Sequence, residues 1–229
     1  MIHPLILKPK LDTVDPNLMA HWKMDETSGT RVYCSANGYD ADVYSNLIMN
    51  ETGVIGSAFG FSDEGYFITD SSDSTPITGP FSLSVWTKLN NGASGYSRIM
   101  GKKGEFSWFV YGGEMQLRIY RNGTSEYMGC KTNNVVARDG STWNNIVTTY
   151  DDSASYSGIK HYVNGTSISP IYQQSYGWLD QMAHTSYKYY VGREEEAWSN
   201  RFQGSLDDLR IYTKELTEAE ITALYQEGI

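Results

Sequence analysis

The chain has 229 residues, with 18 Lys and Arg against 27 Asp and Glu, so its formal net charge is -9. This acidic balance argues against a protein that binds a nucleic-acid phosphate backbone, because such a protein needs a basic face. No apolar run approaches the length of a membrane span, so we expect neither nucleic acid nor membrane as a partner. Two cysteines exclude a disulfide-dense scaffold and a cysteine-based zinc cluster.

The first 17 residues have the composition of an extended N-terminal arm. Prolines at positions 4, 9 and 16 disfavour helix, and Lys8 interrupts a short apolar stretch, so we expect no secretory signal peptide. The arm either packs along its own domain or docks on a neighbouring subunit. The apolar side chains available for docking are Ile2, Leu5 and Leu7.

Alternating apolar and polar residues dominate the rest of the chain. Phe81, Leu83 and Val85 share one face and Trp86 turns to the other, which predicts a strand that is buried on both sides. Gly112-Gly113 and Asn164-Gly165 separate such runs and favour tight hairpins, because they tolerate positive φ. Many short strands and almost no helix predict an all-β sandwich or barrel.

One helix is well signalled, close to the C-terminus. Thr217 and Glu220 have the spacing of a capping box, and Leu216 and Ile221 occupy the two positions of a hydrophobic staple. Gly228 is expected to end this helix, which we predict covers one end of the sandwich. No linker divides the chain after about residue 18, so we expect one domain over residues 18–229.

Five phrases, in order, resemble the laminin-G-like, concanavalin-A-like jelly-roll family; they lie in residues 21–29, 53–61, 81–86, 143–165 and 191–212. They include His21-Trp22, the central-strand residue Trp86, and the closing run Leu206-Asp207-Asp208. The resemblance implies a two-sheet antiparallel jelly-roll β-sandwich with a short C-terminal helix. The segments around residues 93–108 and 172–200 look idiosyncratic.

The resemblance also raises catalysis, because the superfold includes glucanases. Hydrolysis of a glycosidic bond needs two carboxylates that face it, and related glucanases carry a Glu-x-Asp-x-x-Glu run or a close variant. No such run occurs here, and the triplet Glu194-Glu195-Glu196 would alternate between faces in a strand. We interpret the triplet as a solvated loop and predict no catalytic residue. A glycoside hydrolase is kept only as a remote alternative.

Calcium is the metal that the resemblance implies. Asp207 alternates in phase with Leu209 and Ile211, which would turn its carboxylate inward, and a buried carboxylate needs a cation or hydrogen-bond donors. By resemblance, a structural Ca²⁺ would be shared with backbone oxygens near residues 24–26. The alternative is that backbone N–H groups satisfy Asp207. No cofactor is otherwise expected.

The tryptophans divide by position. Trp22, Trp86 and Trp143 lie in family phrases and are predicted to be core residues, whereas Trp108, Trp178 and Trp198 lie outside those phrases. Exposed aromatic planes stack on sugar rings or anchor protein contacts, so the candidate glycan or partner contacts are Trp178, Tyr187 and Trp198. The alternative is that these aromatics brace long loops.

The two cysteines, Cys34 and Cys130, would pair only if the sheets brought them together. Without a signal sequence, free buried thiols are the favoured interpretation.

Two functional hypotheses follow from the sequence. The first is a non-catalytic structural protein of a virion, such as a phage capsid decoration or tail-fibre protein, made without a signal peptide. It would bind a protein lattice or a homo-oligomeric partner through the N-terminal arm. The second is a lectin-like adhesion module that binds a cell-surface glycan through loop aromatics.

Overall fold

The computed structural model describes residues 15–62, 64–70, 77–93, 95–121, 125–175, 182–194 and 201–229. In these ranges the chain forms β-strands and a single α-helix, α1 (Glu218–Gln226). The strands are β1 (Leu18–Trp22), β2 (Arg31–Val32), β3 (Ala41–Tyr44), β4 (Leu47–Thr52), β5 (Ser57–Phe61), β6 (Tyr66–Thr69), β7 (Phe81–Leu89), β8 (Tyr96–Lys102), β9 (Phe106–Tyr111), β10 (Glu114–Tyr120), β11 (Tyr127–Asn134), β12 (Asn144–Tyr150), β13 (Ile159–Val163), β14 (Thr166–Ile168), β15 (Tyr172–Ser175), β16 (Tyr189–Val191) and β17 (Gly204–Tyr212).

Two antiparallel sheets pack face to face, which confirms the predicted jelly-roll sandwich. The eight-stranded sheet has the order β14-β13-β12-β7-β17-β5-β4, and β1 pairs with the second half of β17. The nine-stranded sheet has the order β15-β11-β10-β9-β8-β16-β6-β3-β2. The region around residues 93–108, which looked like an idiosyncratic loop, contributes β8 and the start of β9.

The hairpin turns form where the sequence predicted them. Gly112 and Gly113 both adopt positive φ between β9 and β10, and Asn164 and Gly165 do so between β13 and β14. Two successive positive φ angles define the tight turn that matches the twist of the flanking strands. These residue pairs therefore set the strand register on either side.

The core fills the space between the sheets. Leu83 and Val85 of β7 pack into it with Leu117 and Ile119 of β10. Trp86 is also buried, on the opposite face of β7, so the strand is covered on both sides as predicted.

A buried polar bridge crosses the core. The indole Nε1 of Trp108 donates to Oγ1 of Thr148 (2.9 Å), which lies 2.8 Å from Nδ1 of His161. His161 Nε2 lies 3.1 Å from the carbonyl oxygen of Cys130, so the bridge joins β9 and β11 to β12 and β13. Burial lowers the pKa of His161 to about 4, which leaves the imidazole neutral at pH 7.

The structure corrects the assignment of Trp143 and adds Trp108 to the core. Trp108 is fully buried in the core, although it lies outside the family phrases. Trp143 is only half-buried and lies beneath the Lys88 ammonium, 4.9 Å from its ring centroid. Trp22 and Trp86 are buried as predicted.

The C-terminal helix begins as predicted but covers a different surface. The Thr217 side chain accepts from the Glu220 backbone and the Glu220 side chain accepts from the Thr217 backbone, which confirms the capping box. Leu216 and Ile221 are buried together against the outer face of the eight-stranded sheet, so α1 covers that face rather than an end. Gly228, which was expected to end the helix, does not have a φ in the left-handed region. Glycine is instead required there by close packing, because a Cβ would lie 2.5 Å from the Trp86 ring.

The edges of the sheets are short or interrupted. The edge strand β2 has two residues and the edge strand β14 has three. The pairing of β4 with β5 is broken by a bulge between Ile48 and Glu51, where Asn50 adopts a φ of 68°.

Both thiols are free, as the sequence favoured. Cys34 is half-buried and Cys130 is buried in β11, where burial raises the pKa of its thiol to about 11. Within the described ranges, no helix has the length and apolar character needed to cross a membrane.

Candidate functional site

The outer face of the nine-stranded sheet carries an unusual set of side chains. In β10, Met115, Leu117 and Ile119 enter the core, so the alternate residues turn outward. Strand register aligns these outward residues with their counterparts on β8, β9 and β11. We call this surface the arginine–tyrosine face; its residues are Tyr96, Arg98, Phe109, Tyr111, Gln116, Arg118, Tyr120, Tyr127 and Lys131.

Guanidinium groups and aromatic rings alternate across this face. Phe109 is fully buried although it points away from the core, because two arginines cover it. The Arg98 and Arg118 guanidinium carbons lie 4.4 Å and 4.9 Å from its ring centroid. Arg118 also lies 4.6 Å from the Tyr127 centroid. Such stacking stabilises each contact by about 0.5–1 kcal/mol at exposed sites and more where water is excluded.

The two arginines differ in their charge partners. Arg98 is buried, donates to the Ser107 hydroxyl and forms an ion pair with Glu194 at 2.8 Å. Burial lowers the pKa of Arg98. Burial acts in the same direction on Arg118, but a hydrogen bond with Tyr96 and nearby phenol groups hold its pKa above the ordinary value. No carboxylate of the described residues forms an ion pair with Arg118.

A shallow pocket lies beside Arg118. It measures about 20 Å³ and is lined by Gln116, Leu117, Arg118, Tyr127, Gly129, Cys130 and Lys131. Gly129 helps to keep the pocket open, since a Cβ there would lie 3.1 Å from the Leu117 carbonyl oxygen and 3.5 Å from the Tyr127 ring and the Arg118 stem. Its size suits one polar group rather than a whole sugar ring. A ligand would therefore lie across the face and insert one substituent.

A second, larger cleft of about 480 Å³ lies where the β12–β13 connection meets residues 78–79 and 182–184. Asp152 and His184 are the ionisable side chains of its rim, beside the buried Tyr150. The described residues that line this cleft include neither stacked rings nor guanidinium groups.

Asp207, the predicted calcium ligand, is fully buried. Its Oδ2 accepts from the backbone N–H groups of Val54 (2.7 Å) and Ile55 (2.9 Å), and its Oδ1 has no hydrogen-bond partner. Burial raises the pKa of Asp207 to about 7, and the nearby charges of Asp208 and Asp25 act in the same direction.

The described side chains around Asp207 fit a calcium ion poorly. Ca²⁺ takes six to eight oxygen ligands, usually with several carboxylates. Within the described ranges, no group of three His, Cys, Asp or Glu side chains is arranged to hold a metal. The alternative prediction, that backbone N–H groups satisfy Asp207, is correct for Oδ2. Oδ1 is the one carboxylate oxygen of Asp207 without a hydrogen bond. Calcium at Asp207 therefore stays a prediction.

The direction of Asp207 differs from the predicted one because β17 contains a bulge. The register with β7 shifts between Asp207 and Arg210, and Asp208 adopts a φ of 56°. Asp207 pairs with Trp86 and so shares its outer face, while Leu209 enters the core. The carboxylate is buried by the chain around residues 53–55 rather than by the core.

The bulge also creates a charged link between elements. His21 Nε2 lies 2.6 Å from Asp208, and Arg210 contacts Asp208 (2.9 Å) and Glu227 (2.5 Å) beyond the helix. This cluster ties β1 and the C-terminus to β17.

Cys34 Sγ is hydrogen-bonded to backbone groups, and burial raises the pKa of its thiol, which opposes a nucleophilic role.

The other predicted contact residues have mixed outcomes. Tyr187 is 44% exposed and lies beneath the Lys103 ammonium, 4.9 Å from its ring centroid. Trp178 and Trp198, and the arm residues Ile2, Leu5 and Leu7, lie outside the described residues. Of the acidic triplet, Glu194 is described, and it pairs with Arg98 instead of standing free in solvent.

Sequence reasoning missed the arginine–tyrosine face. The available signal was the alternation within Glu114–Tyr120, where three apolar residues alternate with Gln116, Arg118 and Tyr120. That pattern predicts a strand with a polar outer face. It does not reveal that neighbouring strands bring Arg98 and Phe109 into the same rows.

The comparisons with known proteins concern this same fold. The family model Laminin_G_3, of the concanavalin A-like lectin/glucanases superfamily, matches residues 61–222. No curated protein sequence matches the chain.

Several solved structures of botulinum neurotoxin binding domains have a similar fold. The receptor binding domain of mosaic serotype C/D is 15% identical, with a TM-score of 0.66 over 92% of this chain and 50% of that one. The binding domain of neurotoxin DC, in complex with rat synaptotagmin II, is 14% identical, with a TM-score of 0.65 over 93% and 52%. The serotype D ligand binding domain, in complex with N-acetylneuraminic acid, is 16% identical, with a TM-score of 0.67 over 92% and 50%. The chain thus spans about half the length of these structures, and the likeness concerns fold alone.

Proposed function

Because the chain belongs to the concanavalin A-like lectin/glucanases superfamily, we propose that it is a non-catalytic binding module. The observation that carries this proposal is the arginine–tyrosine face, where Arg118, Tyr127 and Gln116 surround a pocket on the outside of a rigid sheet. Aromatic planes and side-chain donors held by packed strands suit recognition of a polar ligand.

A glycan is the ligand that this face suits best. Sugar rings stack on aromatic planes, and their hydroxyl groups match the donors of arginine and glutamine side chains. The structural neighbours include complexes with a sugar, N-acetylneuraminic acid, and with a protein, rat synaptotagmin II. These ligands are bound by the neighbours; for this chain they support a search among glycans first and protein receptors second.

A glycan array tests this proposal. We expect the native protein to bind a restricted set of glycans and Tyr127→Ala to lose at least about tenfold in affinity, since one stacking contact and one pocket wall are removed. Tyr156→Ala is the matched control, because Tyr156 is an exposed tyrosine in the Tyr156–Gly158 turn. An array without hits for the native protein, or equal loss in both variants, would contradict the proposal.

The loop aromatics predicted from sequence form a separate arm of the same experiment. Trp178→Ala and Trp198→Ala are expected to weaken binding if the ligand extends beyond the sheet. Tyr187→Ala tests the exposed tyrosine at Lys103. Loss of binding in these variants with full binding by Tyr127→Ala would move the site from the sheet to the loops.

We further propose that the module is displayed on a virion or a similar assembly and docks through its N-terminal arm. The support is the proline-punctuated composition of residues 1–17. Every described strand and the helix begin at Leu18 or later, so the domain is expected to fold when residues 1–14 are deleted, and the ion pair between Asp15 and Lys214 is kept. Loss of assembly by this folded variant is the expected result. Unchanged assembly, or a full chain that stays monomeric at all concentrations, would contradict the docking role.

A further inference from the structure

We propose that the arginine–tyrosine face selects acidic glycans, with the carboxylate or sulfate group of the sugar bound at Arg118. This inference rests on the proposed glycan-binding function and names the chemical class of its ligand. In the same proposal, Glu194 is the protein's own carboxylate, which pairs with the neighbouring Arg98 in place of a ligand.

The first argument is the local balance of charge. The protein carries a net charge of -9, yet this face presents Arg98, Arg118 and Lys131. Two carboxylates meet them among the described residues: Glu114 pairs with Lys131 at 3.0 Å, and Glu194 pairs with Arg98 at 2.8 Å. Arg118 is the cation left over. A neutral sugar would leave that charge uncompensated, whereas an acidic sugar would compensate it.

The second argument is the state of the Arg118 guanidinium. It is stacked against Phe109 and Tyr127, which fixes its plane, and its Nε–H has no hydrogen-bond partner within the described part of the chain. Among the described residues the protein therefore supplies neither an acceptor for this buried N–H nor a carboxylate for the guanidinium, which is hydrogen-bonded to Tyr96. A planar donor group of fixed orientation beside a pocket for one substituent is suited to an oxyanion.

The third argument is that the face already binds one carboxylate. Glu194 reaches Arg98 from the segment that follows β16, and its side chain remains 33% exposed. It shows that a carboxylate fits over a guanidinium that is stacked on Phe109. Arg118 offers the same arrangement on the same ring without an internal acid. A ligand with two acidic groups could also displace Glu194.

The experiment compares acidic glycans with their neutral counterparts. Each carboxylated or sulfated array hit is titrated beside its methyl ester or desulfated form, against the native protein and Arg118→Gln. We expect the native protein to prefer the acidic form by at least about tenfold and Arg118→Gln to lose that preference. Arg118→Lys keeps the charge without the planar fork and is expected to restore part of it. Arg138→Gln, which removes a charge from a residue bound to the Ala93 carbonyl, is the control.

The outcomes separate the two proposals. Glycan hits that bind equally well without their acidic group, or a preference that survives in Arg118→Gln, overturn the acidic-ligand inference and leave the glycan-binding function standing. An array without hits overturns both. Binding of poly-L-glutamate without any glycan overturns the sugar class in favour of an acidic protein. Glu194→Gln is a second test: tighter binding of acidic glycans is expected, and unchanged or weaker binding with a folded domain contradicts its role as competitor.

Discussion

At the scale of single residues, the two carboxylate oxygens of Asp207 are both buried but only one of them is hydrogen-bonded. Its Oδ2 is satisfied by two backbone N–H groups, but its Oδ1 is buried without a hydrogen-bond partner. An ionised carboxylate in this position destabilises the fold, and this is why the pKa of Asp207 rises to about 7.

Asp207→Asn is therefore expected to raise the free energy of unfolding above pH 7 by about 1–2 kcal/mol in calcium-free buffer. The asparagine oxygen still accepts from Val54 and Ile55, while the buried charge is removed. Urea denaturation at about pH 8 measures the change.

The same variant tests the calcium prediction. If Asp207 binds Ca²⁺, the native protein contains the metal by elemental analysis, its melting temperature falls in chelator, and Asp207→Asn is destabilised only in calcium buffer. If metal content and melting temperature show none of these effects, calcium is excluded.

The sequence correctly predicted the face on which a side chain lies where the alternation within one strand determines it. It failed where the pairing with neighbouring strands determines it. Trp86 was placed correctly because the alternation within β7 is strict. The direction of Asp207 was wrong because a bulge at Asp208 changes the phase of β17, and no local pattern announces a bulge. Arg98 and Arg118 are 20 positions apart, and only strand register brings both to Phe109.

At the scale of elements, α1 was predictable because its signals are local. The capping box and the staple lie within six residues, and the structure contains both. The face that α1 covers was not predictable, since it depends on outward residues from β12, β13 and β17.

Thr217→Ala is expected to lower the free energy of unfolding by about 1 kcal/mol, because it removes the hydroxyl that accepts from the Glu220 backbone N–H and donates to the Glu220 carboxylate. Thermal or urea denaturation measures it. Thr222→Ala is the control: Thr222 is exposed within the helix, so alanine should cost nothing there. Equal losses in both variants would show that the cap is not the cause.

At the scale of the whole molecule, two buried groups respond to pH in opposite directions. The raised pKa of Asp207 makes its contribution to stability decline as pH rises from 3.8 to about 7. The pKa of His161 is lowered from 6.5 to about 4, so its contribution is complete above 6.5 and is lost as pH falls toward 4. Between about pH 4 and 6.5 these two slopes oppose each other.

His161→Gln should therefore change how the free energy of unfolding depends on pH between about pH 4 and 6.5. Glutamine cannot take up a proton in this range, so the Asp207 slope is exposed and stability should fall by up to about 1.4 kcal/mol per pH unit relative to the native profile. Urea denaturation across this pH range measures the difference between variant and native protein. A variant whose profile stays parallel to the native one would contradict the neutral, buried state of His161.

The interrupted sheet edges have a consequence for how copies of the protein meet. A second molecule that approached along β4 would find its ladder broken by the bulge at Asn50, and β2 and β14 offer only two and three residues. Long, flat edges are the templates on which sheets join into aggregates. The protein is thereby protected against aggregation through these three edges, even when many copies are crowded together.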